Sequence, residues 1–232
     1  MRVRENPAYV SELLQRIGRK MVEERVPGIH VSDLLYCLPK SYWRKRLGTP
    51  DVVDEEATLV FLLGKGLHFL FEEGRPEVSR LTDAIIASPD KFEVDDISPI
   101  VIEFKTTRAS SNKSILESEH YFDQLGAYCY VAGVRRGRLV VAYYSGNYKP
   151  PKPEMKAWDV TFSKRELELW WEELRRRKLI LEEAVAYDRP PDVWLHYPWT
   201  CKYCEFHKRE CPGGEGEWQG FFNLTDTMPF DL

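Results

Sequence analysis

The sequence predicts an α/β fold, with apolar strands in a central sheet and amphipathic helices covering it. Three observations carry this. Pro99 to Thr107 is an apolar, β-branched run that reads as a buried strand. Leu81–Ile86 and Arg138–Tyr144 are shorter runs of the same kind. Between and around them lie segments of helical period rather than further strands. At 232 residues the chain can bury a sizeable core, and one domain with appendages is the simplest organisation.

Pro7 to Arg25 places Val10, Leu13, Leu14, Ile17 and Met21 at helical spacing, and Pro27-Gly28 ends that helix. Ser32 reads as the cap of a short helix carrying Cys37 and stopping near Pro39. Glu55 to Phe71 reads as a second helix, with an apolar stripe of Leu63, Leu67 and Leu70 and His68 at its edge. Its Gly64-Lys65-Gly66 is no phosphate loop, because the Gly-Lys-Ser/Thr ending and a preceding strand are missing. Ile115 to Val131 reads as a helix holding Gln124 and Tyr128 one turn apart on one face. After the strand at 138–144 and a proline-rich loop at 146–153, Ala157–Phe162 is another strand. Ser163-Lys-Arg-Glu166 then opens a long charged helix to about Tyr187, with Trp170, Leu174 and Leu181 inward.

The chemistry concentrates at the end of the 99–107 strand. Strand side chains alternate, so Glu103 and Lys105 share one face and Phe104 takes the other. A buried acid and base two residues apart read either as a structural ion pair or as working groups. Upstream, Asp83 interrupts the apolar run 81–86, and the turn-like Ser88-Pro89-Asp90 suggests a hairpin bringing Asp83 beside Glu103. Two carboxylates and a lysine suit a hard divalent cation, Mg²⁺ or Mn²⁺, with His68 available to complete the set. The lysine would then orient the attacking water or neutralise charge on a phosphate. Gln124 and Tyr128 could hydrogen-bond a DNA phosphate or that lysine.

The net charge is only −4, so no global basic field advertises nucleic acid. Lys40 to Arg46 and Arg135 to Arg138 are the candidate local basic surfaces, and Tyr42 and Trp43 beside Arg44 are candidates to stack unpaired bases. No apolar run is long enough to span a bilayer, and Met1–Asn6 lacks a signal-peptide core, so a cytoplasmic location without membrane attachment is expected. There disulfides are rare and clustered cysteines suggest metal. Cys201-x2-Cys204-x6-Cys211-Pro212 supplies three thiolates, and Cys37 a fourth. The spacing suits tetrahedral zinc or an iron–sulfur cluster, and His207 or His196 could replace a cysteine in a zinc site. Cys129 reads as an inert core residue.

An early cysteine, G-x-x-x-H, Asp in a strand, E-x-K, Q-x-x-x-Y and a final C-x2-C-x6-C-P occur here in one order, from Cys37 to Pro212. In that order the chain resembles RecB-like nucleases of the PD-(D/E)XK superfamily that carry an iron–sulfur cluster. At this size it is similar to the fourth of the numbered CRISPR-associated (Cas) protein families. The resemblance implies a restriction-endonuclease-like core, a mixed central sheet flanked by helices, with the N- and C-terminal segments joined by the cluster. It divides a single 1–232 nuclease domain into a helical segment at 1–54, a core at 55–190 and a cysteine segment at 191–232. It implies His68, Asp83, Glu103 and the backbone carbonyl of Phe104 as ligands of Mg²⁺ or Mn²⁺, Lys105 as the catalytic lysine, and Gln124 and Tyr128 as its support. Cys37, Cys201, Cys204 and Cys211 would hold a four-iron cluster, with a two-iron cluster as the other choice. The activity implied is cleavage of DNA, mainly single strands and often from the 5′ end, in CRISPR spacer acquisition with the integrase and its partner subunit as associates. Two other readings compete: a zinc or iron–sulfur DNA-binding module with an inactive nuclease core, and the nuclease component of a recombination or repair complex.

Overall fold

The computed structural model describes residues 9, 12, 15, 26–48, 55–71, 80–94, 98–108, 114–145, 153–192, 195 and 197–213. Most of the helix expected at 7–25 and the loop at 146–152 fall outside these residues. The fold is mixed α/β, with two sheets rather than one. A three-stranded sheet has the order β1 (Ile29–His30), β3 (Ile85–Ala87), β2 (Arg80–Thr82). A four-stranded sheet has the order β4 (Lys91–Val94), β5 (Pro99–Arg108), β6 (Arg136–Ser145), β7 (Glu154–Thr161). Only the central pair β5–β6 is parallel within that sheet; β4 and β7 run antiparallel at its edges.

The helices are α1 (Val31–Leu35), α2 (Leu38–Leu47), α3 (Glu55–Phe71), α4 (Glu119–Ala132) and α5 (Lys164–Ala186), with single 3₁₀ turns at Ile115–Glu117 and Pro198–Tyr203. Helix α4 is the crossover that a parallel β5–β6 pair requires. Helix α5 starts in a reciprocal cap: Ser163 Oγ accepts from Glu166 N, and Glu166 Oε2 accepts from Ser163 N at 2.6 Å. Trp170, Leu174 and Leu181 of α5 are buried against Leu125 of α4 and Val101, Leu139 and Val141 of the sheet, forming one main core that also takes in Cys129. Among the described residues no helix is long and apolar enough to cross a membrane.

Two local expectations are corrected. Ser32 lies inside α1 instead of capping it; Asp33 does that work by accepting from His30 N at 2.9 Å. Pro39 does not end a helix but occupies the second position of α2, where its missing N–H costs nothing. Cys37 is therefore the residue preceding a new helix, and its sulfur accepts from Lys40 N at 3.4 Å.

Strand β5 divides the molecule. Its even residues Ile100, Ile102 and Phe104 face a small second core, and α3 lies along that side. A Cβ on Gly64 of α3 would come within 3.2 Å of Thr106 Oγ1, so the glycine permits the close approach. The odd residues Val101, Glu103 and Lys105 face α4. The alternation expected of this strand is thus what brings two helices, one per face, to the same strand end.

Candidate active site

At that end Glu103 is 2% exposed and is the only buried carboxylate on β5 among the described residues. Its Oε1 accepts from Lys105 Nζ at 2.5 Å, while Oε2 is buried with no hydrogen-bond partner among the described residues. Lys105 Nζ also donates to Gln124 Oε1 at 2.8 Å. Gln124 Oε1 accepts from Tyr36 OH at 2.7 Å, and Gln124 Nε2 donates to Tyr128 OH at 2.8 Å. The amide is fixed on both sides, so its oxygen is presented to the ammonium. Gln124 and Tyr128 share a face of α4 as their spacing predicts, but the buried phenol orients the amide and does not face solvent. Tyr36 was missed in the sequence. It lies 88 residues from Gln124, and no local pattern marks it.

The second carboxylate is Asp90, not Asp83. Lys91 opens β4 opposite Ile102 of β5, so Asp90 arrives beside Glu103. Asp90 Oδ2 accepts from Phe104 N at 2.6 Å, and Oδ1 lies 3.2 Å from His68 Nδ1 of α3. Asp83 instead sits in the two-residue turn joining β2 to β3, with φ +51°, followed by Ala84 at +58°. Positive φ at both central residues is the turn that matches strand twist, and Asp tolerates it. The Asp83 carboxylate is held by Trp171 Nε1 at 2.6 Å and lies 3.9 Å from Arg175, both on α5. The sequence did carry a signal for Asp90: Pro89-Asp90 precedes Glu103-Phe104-Lys105 as a literal Pro-Asp ahead of Glu-x-Lys.

The electrostatics are those of a crowded anionic pocket. Burial, and after it the Asp90 charge, push the Glu103 carboxyl well above the usual range, with Lys105 opposing. Burial alone would lower the Lys105 ammonium, but Glu103, Tyr36, Asp90 and Tyr128 together outweigh it and the net shift is upward. Hydrogen bonding to Asp90 raises His68. A buried, unpartnered carboxylate oxygen beside a second buried carboxylate and an imidazole is a donor set that fits a hard cation. His68, Asp90, Glu103 and the Phe104 backbone carbonyl are the groups that would hold it. Among the described residues no three His, Cys, Asp or Glu side chains stand in a ready-made metal-holding group.

The four cysteines of the expected cluster are described and unbridged. Cys37 lies near enough to Cys204, Cys201 and Cys211 for their charges to bear on it, but among the described residues no three cysteines stand as a metal-holding group. Burial pushes the Cys37 thiol up to about 12. Tight turns shape the cysteine segment: Cys204 N donates to Cys201 O at 3.3 Å, and Cys211 N to Phe206 O at 3.0 Å. His196 lies outside the described residues. The basic stretches are engaged within the chain: Lys40 and Arg44 both pair with Glu205, Arg46 with Asp188, and Arg138 with Asp159. Tyr42 is buried and donates to Asp188, which takes it out of any stacking surface, and half-buried Trp43 packs edge-on against it.

Comparison with known proteins decides the family. The family model of the PD-(D/E)XK nuclease superfamily matches residues 75–212, more than half of the chain. The chain belongs to the PD-(D/E)XK nuclease superfamily. Its match region contains Asp90, Glu103, Lys105, Gln124 and the three C-terminal cysteines. Among solved structures, SSO0001 is similar over 85% of this chain and 94% of its own, with 20% identity and a TM-score of 0.54, which is a likeness of fold. An alkaline exonuclease from Laribacter hongkongensis follows at 11% identity and a TM-score of 0.40, over 78% of this chain and 95% of its own. No curated protein matches the chain.

Proposed function

We propose that this PD-(D/E)XK nuclease is a Mg²⁺- or Mn²⁺-dependent deoxyribonuclease that degrades single-stranded DNA from its ends, with the 5′ end favoured. The observation that carries the reading is Glu103: one oxygen on Lys105, the other buried beside Asp90 without a partner among the described residues. When bound there, the metal supplies Lewis acidity toward a phosphodiester oxygen and lowers the pKa of water. The chain's own groups do the rest. Asp90 is anchored on Phe104 N, and Glu103 brings a second carboxyl whose ionised form a bound cation would favour against the upward push of burial. Lys105 is held as a cation by Glu103, which suits it to stabilise negative charge developing on the phosphoryl oxygens. Gln124, locked by Tyr36 and Tyr128, keeps the ammonium in place.

Cys37, Cys201, Cys204 and Cys211 are proposed to hold an iron–sulfur cluster of the four-iron type. The Lys40 N–H at the Cys37 sulfur offsets part of the upward push that burial gives this thiol. The motif order from Cys37 to Pro212 further supports a role in CRISPR spacer acquisition, trimming DNA ends for the integrase and its partner subunit. The test is degradation of single-stranded DNA labelled at either end, with Mn²⁺. Wild type should degrade it, losing the 5′ label first, and Lys105→Ala should be slower by roughly 10²–10³-fold. Equal rates for the two proteins would remove Lys105 from the chemistry and sink the assignment.

A further inference from the structure

Of a group of rings beside this site, Tyr36 alone has a part in the chemistry above. Trp199, in the 3₁₀ turn ahead of the cysteines, lies 5.1 Å from His120, 6.1 Å from Tyr36 and 6.3 Å from Tyr197 between ring centroids. His120 in turn is 4.3 Å from Tyr121, whose ring centroid is 5.7 Å from Lys105 Nζ. Tyr36 reaches the same lysine through Gln124. The lower rings are buried or half-buried, but Trp199 is 48% exposed on top of them. A tryptophan normally buries most of its large apolar surface, so a half-exposed indole resting on other rings calls for an occupant.

We infer that Trp199, backed by His120, Tyr36 and Tyr197, is a stacking platform for an unpaired nucleobase flanking the scissile phosphate. The inference rests on the nuclease reading for its substrate and adds the part of the substrate that the metal site does not touch. Nucleobases are the occupant the surroundings favour. Two ring-to-lysine connections, through Tyr121 and through Gln124, tie the platform to the phosphodiester site. Every base has a π-face, so stacking here recognises single strands without choosing a sequence. It also gives the cysteine segment a second role, since the turn leading into Cys201 carries the exposed ring.

The test measures binding of the full-length protein to a labelled single-stranded oligonucleotide in EDTA, so that nothing is cut. Trp199→Ala should bind roughly 5- to 150-fold more weakly, the range for losing one stacked base. Trp199→Phe should recover most of the affinity. Replacing one base of the oligonucleotide by an abasic unit, position by position, should at one position cost wild type a similar factor and cost Trp199→Ala nothing. Unchanged affinity in Trp199→Ala, or equal abasic penalties in both proteins, overturns the platform. Cleavage by wild type against Lys105→Ala is read in parallel. Trp199-dependent binding without metal-dependent cleavage keeps the platform and sinks the nuclease; Lys105-dependent cleavage with Trp199-independent binding does the reverse.

Discussion

Asp83 and Asp90 are separated by one short strand, and backbone geometry decides which of them meets Glu103. A left-handed turn residue points its carboxylate back along the hairpin, and there Trp171 and Arg175 of α5 engage it, with the side chain 43% exposed. Asp90 precedes the strand that pairs with β5, and its side chain is only 6% exposed between Phe104 N and His68. Asp90 therefore brings its carboxylate to the buried end of β5 beside Glu103, and Asp83 does not. Asp90→Asn keeps an acceptor for Phe104 N but removes the charge, and Mn²⁺-dependent cleavage should fall by about 10²-fold or more, a few kcal/mol of transition-state stabilisation. Asp83→Asn should cleave at close to the wild-type rate while losing about 1 kcal/mol in urea denaturation, from the weakened bond to Trp171. The opposite pattern would return the metal to the hairpin.

At the scale of elements, what could be read from the sequence followed the length of each periodic segment. Strand β5 has ten residues, enough for alternation to assign Glu103 and Lys105 to one face and Phe104 to the other. Helix α5 announced its start through Ser163 and Glu166. By contrast β2 and β3 have three residues each, too few for alternation to show that Asp83-Ala84 is a turn and not one polar position in a longer strand. Pro39 was ambiguous for a different reason: proline both follows helix ends and opens helices, and only the chain's path distinguishes the two. No periodicity encodes the closeness of packing between elements either. At Gly137 of β6, a Cβ would stand 2.7–2.8 Å from Cγ and both methyls of Leu125, which is fully buried on α4. Because Gln124 is the neighbouring residue, this contact helps set the depth at which α4 offers its amide to Lys105. Gly137→Ala should therefore destabilise the fold by about 1–3 kcal/mol in urea denaturation. Adding Leu125→Ala should give a smaller total loss than the two single changes summed, because the clash disappears with the side chain. Strict additivity would show that the strand and helix can part without cost.

For the molecule as a whole, the segment around Cys37 and the segment around Cys201 are fastened to each other before any metal is considered. Leu38 N donates to Leu195 O at 3.2 Å and Tyr197 N to Tyr36 O at 3.0 Å. Glu205 binds Lys40 at 2.8 Å, and the buried Arg177 of α5 donates from Nη1 to the carbonyls of Leu34 and Leu35, closing the end of α1. A cluster on Cys37, Cys201, Cys204 and Cys211 would lock this seam, since it closes a loop spanning most of the sequence and so constrains the unfolded chain. Its influence should reach the active site by a short path. Tyr36, which steadies Gln124, is the residue before Cys37, and Tyr197, which donates to the buried Asp123 on α4, leads into the cysteine turn. Cys37→Ser should accordingly lose visible colour and iron, lose about 2–4 kcal/mol of stability, and cut single-stranded DNA more slowly although no group at the metal site has changed. Cys129→Ser, at the buried cysteine of α4, should keep its colour and iron, which separates a ligand from a core thiol. Iron content and melting midpoint unchanged in Cys37→Ser would remove it from the ligand set. A colourless wild type carrying zinc would keep the seam, through tetrahedral thiolates, and replace the iron–sulfur cluster as its lock.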